Sequence, residues 1–320
     1  MKHTLYIYIA ITAVLLATAI WLGNMQKSVK ANNIGIVLSG GGAKCAAQIG
    51  VLKVIEQENI NVSCITGTSF GAIIGALYAA GYSSNEIENF FISTDWMACF
   101  ASGIELDNPD NFLNGITTLL LGREDILDCQ PAGLSNAGVL ESIISSMLRA
   151  KGVETFDDLQ IPFACVATDF DTMEQVVFKE GSVLAAIRAS MAFPGLIKPI
   201  KINGRTLIDG GLLNNLPVDV AITMGAKRTI AVDVQQSEGL KISLPISSVL
   251  PNSGIVSWIA KRPNIEKHRQ NINLANIYIN PDTQGVRSIS FNKSDCIRMI
   301  HIGEETAKVK CNSLLELSSK

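Results

Sequence analysis

One stretch, Cys64–Gly81, restricts the fold of this 320-residue chain more than any other. An apolar strand, Val62–Thr66, runs into Gly67-Thr68-Ser69-Phe70-Gly71, and a helix rich in small residues follows. The spacing is that of a G-x-S-x-G elbow, where a strand turns into a helix so sharply that the backbone at the serine is strained. Gly67 and Gly71, two residues either side of Ser69, let neighbouring segments approach closely. The Ser69 hydroxyl is then held clear of the sheet at a helix N-terminus, where the dipole favours negative charge. On its own the pentapeptide is equally a glycine-rich βα turn without chemistry.

A second strand-to-helix junction precedes it. Ile34–Leu38 reads as a buried strand and runs into Ser39-Gly40-Gly41-Gly42-Ala43-Lys44, after which helical spacing resumes through Ala47, Val51, Leu52, Val54 and Ile55. Such a junction gathers unpaired N–H groups into an anion site. A dinucleotide fingerprint fails, because Cys45 stands where its last glycine belongs, and no G-x-x-x-x-G-K-[ST] phosphate loop is present. The remaining chemistry is an oxyanion hole for acyl transfer. Two parallel strands ending side by side put both loops at the carboxyl edge of an α/β sheet, where such folds build their sites.

A serine nucleophile needs a base. Of the three histidines, His3 precedes the apolar N-terminal run, while His268 and His301 lie in polar surroundings and read as surface residues. Asp209 stands out instead, at the end of the strand of a hairpin (Ile200–Ile202, Thr206–Ile208) and followed by Gly210 and Gly211. Desolvation beside Ser69 would raise its pKa towards that of a useful base; the alternative is a simple turn residue. Asp169 and Asp171 have D-x-D spacing, but no further ligands gather nearby and turn-capping carboxylates are the simpler reading, so no metal site is expected.

These residues, in this order, resemble the patatin-like phospholipases. The similarity rests on Gly40-Gly41-Gly42-Ala43-Lys44, Gly67-Thr68-Ser69-Phe70-Gly71 and Asp209-Gly210-Gly211, joined by Ile187-Arg-Ala-Ser190, Phe193-Pro194-Gly195 and Leu213-Asn-Asn-Leu-Pro217. It implies a three-layer α/β/α fold with a mostly parallel central sheet and a Ser–Asp dyad hydrolysing phospholipids or lysophospholipids without cofactor. Ser69 would be the nucleophile and Asp209 the base. The amides of Gly40, Gly41 and Gly42 would form the oxyanion hole, with Lys44 where the family has Arg or Lys. Cys45 departs from the family's usual glycine, either packing beneath the turn or acting as a reactive thiol at a helix N-terminus. It is the feature that favours the alternative of a catalytically weak, membrane-tethered regulatory protein; acyl transfer to an acceptor other than water would use the same dyad.

The formal net charge of −3 and the lack of a basic stripe argue against nucleic acid as a partner. Seven scattered cysteines without C-x-x-C spacing fit free thiols better than a disulfide framework. Leu5–Leu22 is uncharged and apolar, about 27 Å long as a helix and close to the thickness of a bilayer core. It reads as a single-pass anchor, since Ile20-Trp21-Leu22 continues past the A-x-A-like Ala17-Thr18-Ala19; cleavage there, giving a secreted or periplasmic chain, is the alternative. The expected organisation is therefore an anchor or signal segment (1–24), a polar linker (25–33), a catalytic domain (34–235) and a C-terminal extension (236–320) packing on it. The apolar cluster Ile116–Leu121 reads as core, or as a lid.

Overall fold

The computed structural model describes residues 33–101, 133–235 and 265–319. The apolar run 5–22, the cluster Ile116–Leu121 and the Ser/Pro-rich stretch 237–253 lie outside them. Among the described residues no helix is long and apolar enough to cross a membrane.

The chain opens with β1 (Ile34–Leu38), a 3-10 turn (Gly42–Cys45) and α1 (Ala46–Gln57), then β2 (Val62–Thr68) and α2 (Phe70–Ala79). Next come α3 (Ser84–Ser93), α4 (Trp96–Ala101), β3 (Gly133–Ser135) and α5 (Gly138–Ala150). They are followed by β4 (Phe163–Asp169), β5 (Gln175–Phe178), α6 (Val183–Ser190), β6 (Gly195–Ile197), β7 (Ile200–Ile202) and β8 (Arg205–Asp209). The chain continues through α7 (Val218–Thr223), β9 (Arg228–Val232), α8 (Ile265–Leu274), β10 (Ile277–Ile279), α9 (Lys293–Val309) and α10 (Cys311–Ser319). Local signals account for several boundaries. Ser83 caps α3 in a reciprocal capping box with Glu86, and Asn292 caps α9 by accepting from Asp295 N–H.

The main sheet runs β10-β9-β1-β2-β4-β8-β7, with β5 also paired to β4. The strands from β10 to β4 are parallel, whereas β5, β7 and β8 are antiparallel to their neighbours. The sheet is thus mixed: its parallel half carries the expected βα junctions, and an antiparallel group extends one side.

Two-residue alternation divides the core between the sheet's faces. Ile34, Ile36, Leu38, Ile65, Ile230 and Val232 point into the larger core, with side chains of α1, α2, α3, α5, α6 and α9. Val37, Cys64 and Ala231 face the other side, covered by Leu216 and by Val218 and Ala221 of α7, with Ile272 of α8 against them. The result is helix, sheet, helix.

Register decides where the sheet's two kinds of strand meet. β5 occupies one edge of β4 along Cys165–Thr168. On the opposite edge β2 pairs with Phe163–Val166, and beyond its end β8 pairs with Ala167–Asp169, running the other way. Thr68 lies opposite Val166, and Asp209 opposite Ala167. The two strands therefore end head-on, at consecutive residues of β4.

Candidate active site

Ser69 links β2 to α2 with φ 55° and ψ −126°, a conformation that costs a non-glycine residue on the order of 1–3 kcal/mol. The surroundings enforce it. A Cβ on Gly71 would lie 2.5 Å from both Leu38 O and Ser39 O, and one on Gly67 would lie 2.6 Å from Gly71 O. Ser69 N–H donates to Ser190 Oγ at 2.8 Å, and that fully buried hydroxyl donates onward to Val166 O at 2.6 Å. Ser190, at the end of α6, thus pins the elbow to β4.

Ser69 Oγ donates to Asp209 Oδ2 at 2.7 Å. Asp209 is buried, and its other oxygen accepts Gly211 N–H at 2.7 Å. Its backbone is tied down as well, with N–H bonded to Ala192 O at 3.0 Å and C=O accepting Thr168 Oγ1 at 3.0 Å. Burial pushes its pKa up to about 6, against the opposing pull of the Ser69 and Gly211 hydrogen bonds. The carboxylate is a stronger base than a solvated aspartate, and the serine proton already points at it.

The glycine turn lies against this pair, since a Cβ on Gly40 would come within 3.0 Å of Ser69 Cβ. Its amides are not equivalent. Gly40 N–H donates to Asn215 O at 3.2 Å and Ala43 N–H to Ser288 O at 2.8 Å. The N–H groups of Gly41 and Gly42, at the start of the 3-10 turn, have no acceptor among the described residues. Of the three glycines expected to donate, Gly40 is committed to holding the turn.

Residues 36–222, more than half of the chain, match the sequence model of the family described as "Patatin-like phospholipase". The chain belongs to the patatin-like phospholipase family. It is 32% identical over 225 residues to mouse patatin-like phospholipase domain-containing protein 6, covering 68% of this chain and 15% of that protein. It is also 32% identical over 207 residues to an uncharacterized NTE family protein of Mycobacterium tuberculosis, covering 64% of this chain and 50% of that one. The chain thus spans only about one-seventh of the mouse relative and half of the mycobacterial one. Among solved structures, VipD from Legionella pneumophila aligns with a TM-score of 0.55 at 16% identity, covering 88% of this chain and 67% of that one. That likeness concerns the fold.

Cys45 is buried, its Sγ directed at Ser39 O at 3.5 Å. Burial, then the nearby charges of Asp209 and Asp233, holds the thiol well above its usual pKa, so it packs as a protonated side chain beneath the turn. Lys44 is half-buried, and partial burial lowers its pKa. Asp169 Oδ1 accepts the N–H groups of Asp171 (3.0 Å) and Thr172 (3.4 Å), the turn-capping role expected from its position. His268 departs from expectation. It is not a free surface residue: its side chain is 18% exposed and its Nε2 lies 2.9 Å from Oδ2 of the fully buried Asp233. The partner is hidden in sequence because α8 meets Asp233, the residue just after β9, only in the fold. Sequence reasoning also gave no role to Ser190 or Asn215, which appear only inside the shared blocks. Their contacts reach 121 and 175 residues along the chain, beyond any local signal.

Proposed function

We propose that the chain is a serine acyl hydrolase of lipid carboxylic esters, acting on phospholipids or lysophospholipids. The 2.7 Å hydrogen bond between Ser69 Oγ and the buried Asp209 carboxylate carries this reading, with two glycine amides alongside that have no acceptor among the described residues. Family membership supports it.

In this mechanism Asp209 accepts the Oγ proton as Ser69 attacks the ester carbonyl carbon. Negative charge then develops on the carbonyl oxygen, facing the amides of Gly41 and Gly42, while Lys44 adds a cation to the same turn. Collapse breaks the C–O ester bond, and Asp209 returns the proton to the departing alcohol. Water attacks the acyl-Ser69 ester with Asp209 again as base, the acyl C–Oγ bond breaks, Asp209 returns that proton to Ser69 Oγ, and the fatty acid leaves. An aspartate titrating at about 6 is largely ionised at neutral pH yet more basic than a solvated one. The reading calls on no metal or cofactor.

An apolar acyl group suits the surroundings. Phe70, next to the nucleophile, meets Phe291 at 4.9 Å between ring centroids, and Trp96 stacks on Phe291 at 4.6 Å. Met97 and Ile289, near that cluster along the chain, are 79% and 53% exposed. The apolar run 5–22 would tether the site to a membrane.

The test is ester hydrolysis by the full chain in detergent, using short and long acyl nitrophenyl esters and then mixed phospholipids with fatty-acid detection. Ser69→Ala and Asp209→Asn are each expected to lose turnover by at least about 10³-fold, with folding intact by circular dichroism. Turnover retained in Ser69→Ala refutes the mechanism. A wild type inactive on every substrate favours the regulatory alternative.

A further inference from the structure

We infer that Asn215 is a positioning residue for the oxyanion hole, fixing the direction in which Gly41 N–H points. The inference rests on the reading of Ser69 as an acyl-transfer nucleophile and extends it to a side chain with no role so far.

Asn215 follows the 3-10 turn after Asp209 and is buried. Its side-chain Nδ2 donates to Gly40 O at 3.1 Å and to Gln235 Oε1 at 3.1 Å, while its main-chain carbonyl accepts Gly40 N–H at 3.2 Å. One residue thus grips both polar groups of Gly40. Its Oδ1 fits into space that two glycines leave open: a Cβ on Gly40 or on Gly211 would each lie 2.6 Å from it. The amide is wedged between the glycine turn and the loop that holds Asp209.

Peptide planarity makes this grip directional. The peptide joining Gly40 to Gly41 is trans, so its C=O and N–H point in opposite directions. With the Gly40 carbonyl turned to Asn215, Gly41 N–H must point away from Asn215. The preceding peptide is fixed at both ends, Ser39 O accepting Gln48 Nε2 at 2.7 Å and Gly40 N–H meeting Asn215 O. On the far side, Ala43 N–H is fixed by Ser288 O. The Gly40–Gly41 peptide has glycine on both sides, so no Cβ of its own opposes its rotation. Turned over, it would present a carbonyl oxygen where the developing oxyanion needs a donor. Asn215 Nδ2 is the side-chain donor that opposes this rotation.

The experiment compares Asn215→Asp and Asn215→Ala with wild type in the full chain. Asp is nearly isosteric but, ionised, offers Gly40 O no donor; Ala carries the test if a buried carboxylate prevents folding. For a nitrophenyl ester, kcat is expected to fall about 10²-fold with KM changed by less than about threefold, the size of effect seen when one oxyanion donor is lost. Affinity for a trifluoromethyl ketone with the same acyl chain, which forms an oxyanion on the serine, should fall in parallel. Affinity for the corresponding secondary alcohol, which cannot, should not. The inference is overturned if kcat stays within about threefold of wild type in the folded variants. It is also overturned if ketone and alcohol affinities fall together, the mark of general damage to the pocket. Ser69→Ala distinguishes the two levels. Turnover surviving there removes the acyl-transfer reading itself, while turnover lost there but kept in both Asn215 variants removes only the role of Asn215.

Discussion

Asp209→Asn is expected to change how the stability of the chain responds to pH. Burial raises the Asp209 pKa from an ordinary 3.8 to about 6. Well below pH 3.8 the group is protonated in both folded and unfolded chains and contributes no difference. Between pH 4 and 6 the unfolded chain releases its proton first, so the native state binds more protons and stability falls as pH rises. Above about pH 6 both forms are ionised and the full penalty persists. A shift of about two units corresponds to about 3 kcal/mol, at ~1.4 kcal/mol per unit. Asn does not titrate, so the stability of the variant relative to wild type should rise by about 2 kcal/mol between pH 4 and pH 8, the rest of the penalty having developed below pH 4. Any fixed cost of altering the Ser69 hydrogen bond cancels in that difference. Urea unfolding of both chains at pH 4, 5, 6, 7 and 8, with m-values compared, gives the measurement. A difference constant to within about 1 kcal/mol, or one that moves the other way, refutes the claim that Asp209 is held in the fold with a raised pKa. The same titration should govern wild-type hydrolysis, with log(kcat/KM) rising at unit slope to a bend near pH 6.

Gly71→Ala should cost on the order of 1–3 kcal/mol and remove turnover, because its Cβ would meet two backbone carbonyls at 2.5 Å; thermal unfolding and ester hydrolysis read both effects. Ser190→Ala leaves Ser69 N–H and Val166 O without their buried partner, a loss of about 1–3 kcal/mol, and should lower kcat more than it raises KM. Unchanged kcat would show that the elbow holds without it. Iodoacetamide followed by mass mapping should modify the half-buried Cys311 in the native chain while Cys45 stays protected until unfolding. Early labelling of Cys45 would revive the reactive-thiol reading.

What was legible in the sequence was what local chemistry writes there. β1 spans the residues its apolar run marks, and the elbow and the glycine turn sit at the ends of adjacent parallel strands. β2 runs two residues beyond its apolar core, because Gly67 and Thr68 stay in register with β4. α6 begins at Val183 under the Ser182 cap, a local signal at the helix start. The β3–β6 ladder pairs two three-residue strands, too short for any alternation to appear. The bonds through Ser190 and Asn215, and the pairing of His268 with Asp233, join distant segments and leave no periodic or compositional trace.

The meeting of nucleophile and base follows from backbone register more than from loop shape. β2 stops at Thr68, opposite Val166, and β8 arrives from the other direction to stop at Asp209, opposite Ala167. The chain must then turn aside at once, since a Cβ on Gly210 would lie 2.1 Å from Val166 O. The separation of Ser69 and Asp209 is thus set by consecutive residues of one strand, and a carboxylate delivered so directly leaves no gap for a histidine to bridge. The hairpin turn that feeds β8 lies elsewhere. Asn203 and Gly204, with φ of 51° and 79°, close it in open space, as expected of a two-residue turn. Inserting one glycine between them lengthens the connection but leaves the β4–β8 pairing to set the register. Turnover is expected to stay within about threefold of wild type, whereas a glycine inserted between Leu207 and Ile208 would shift Asp209 out of register and abolish it. If the turn insertion cost as much as the strand insertion while the protein remained folded, the dyad's geometry would have to be assigned to the hairpin and not to β4.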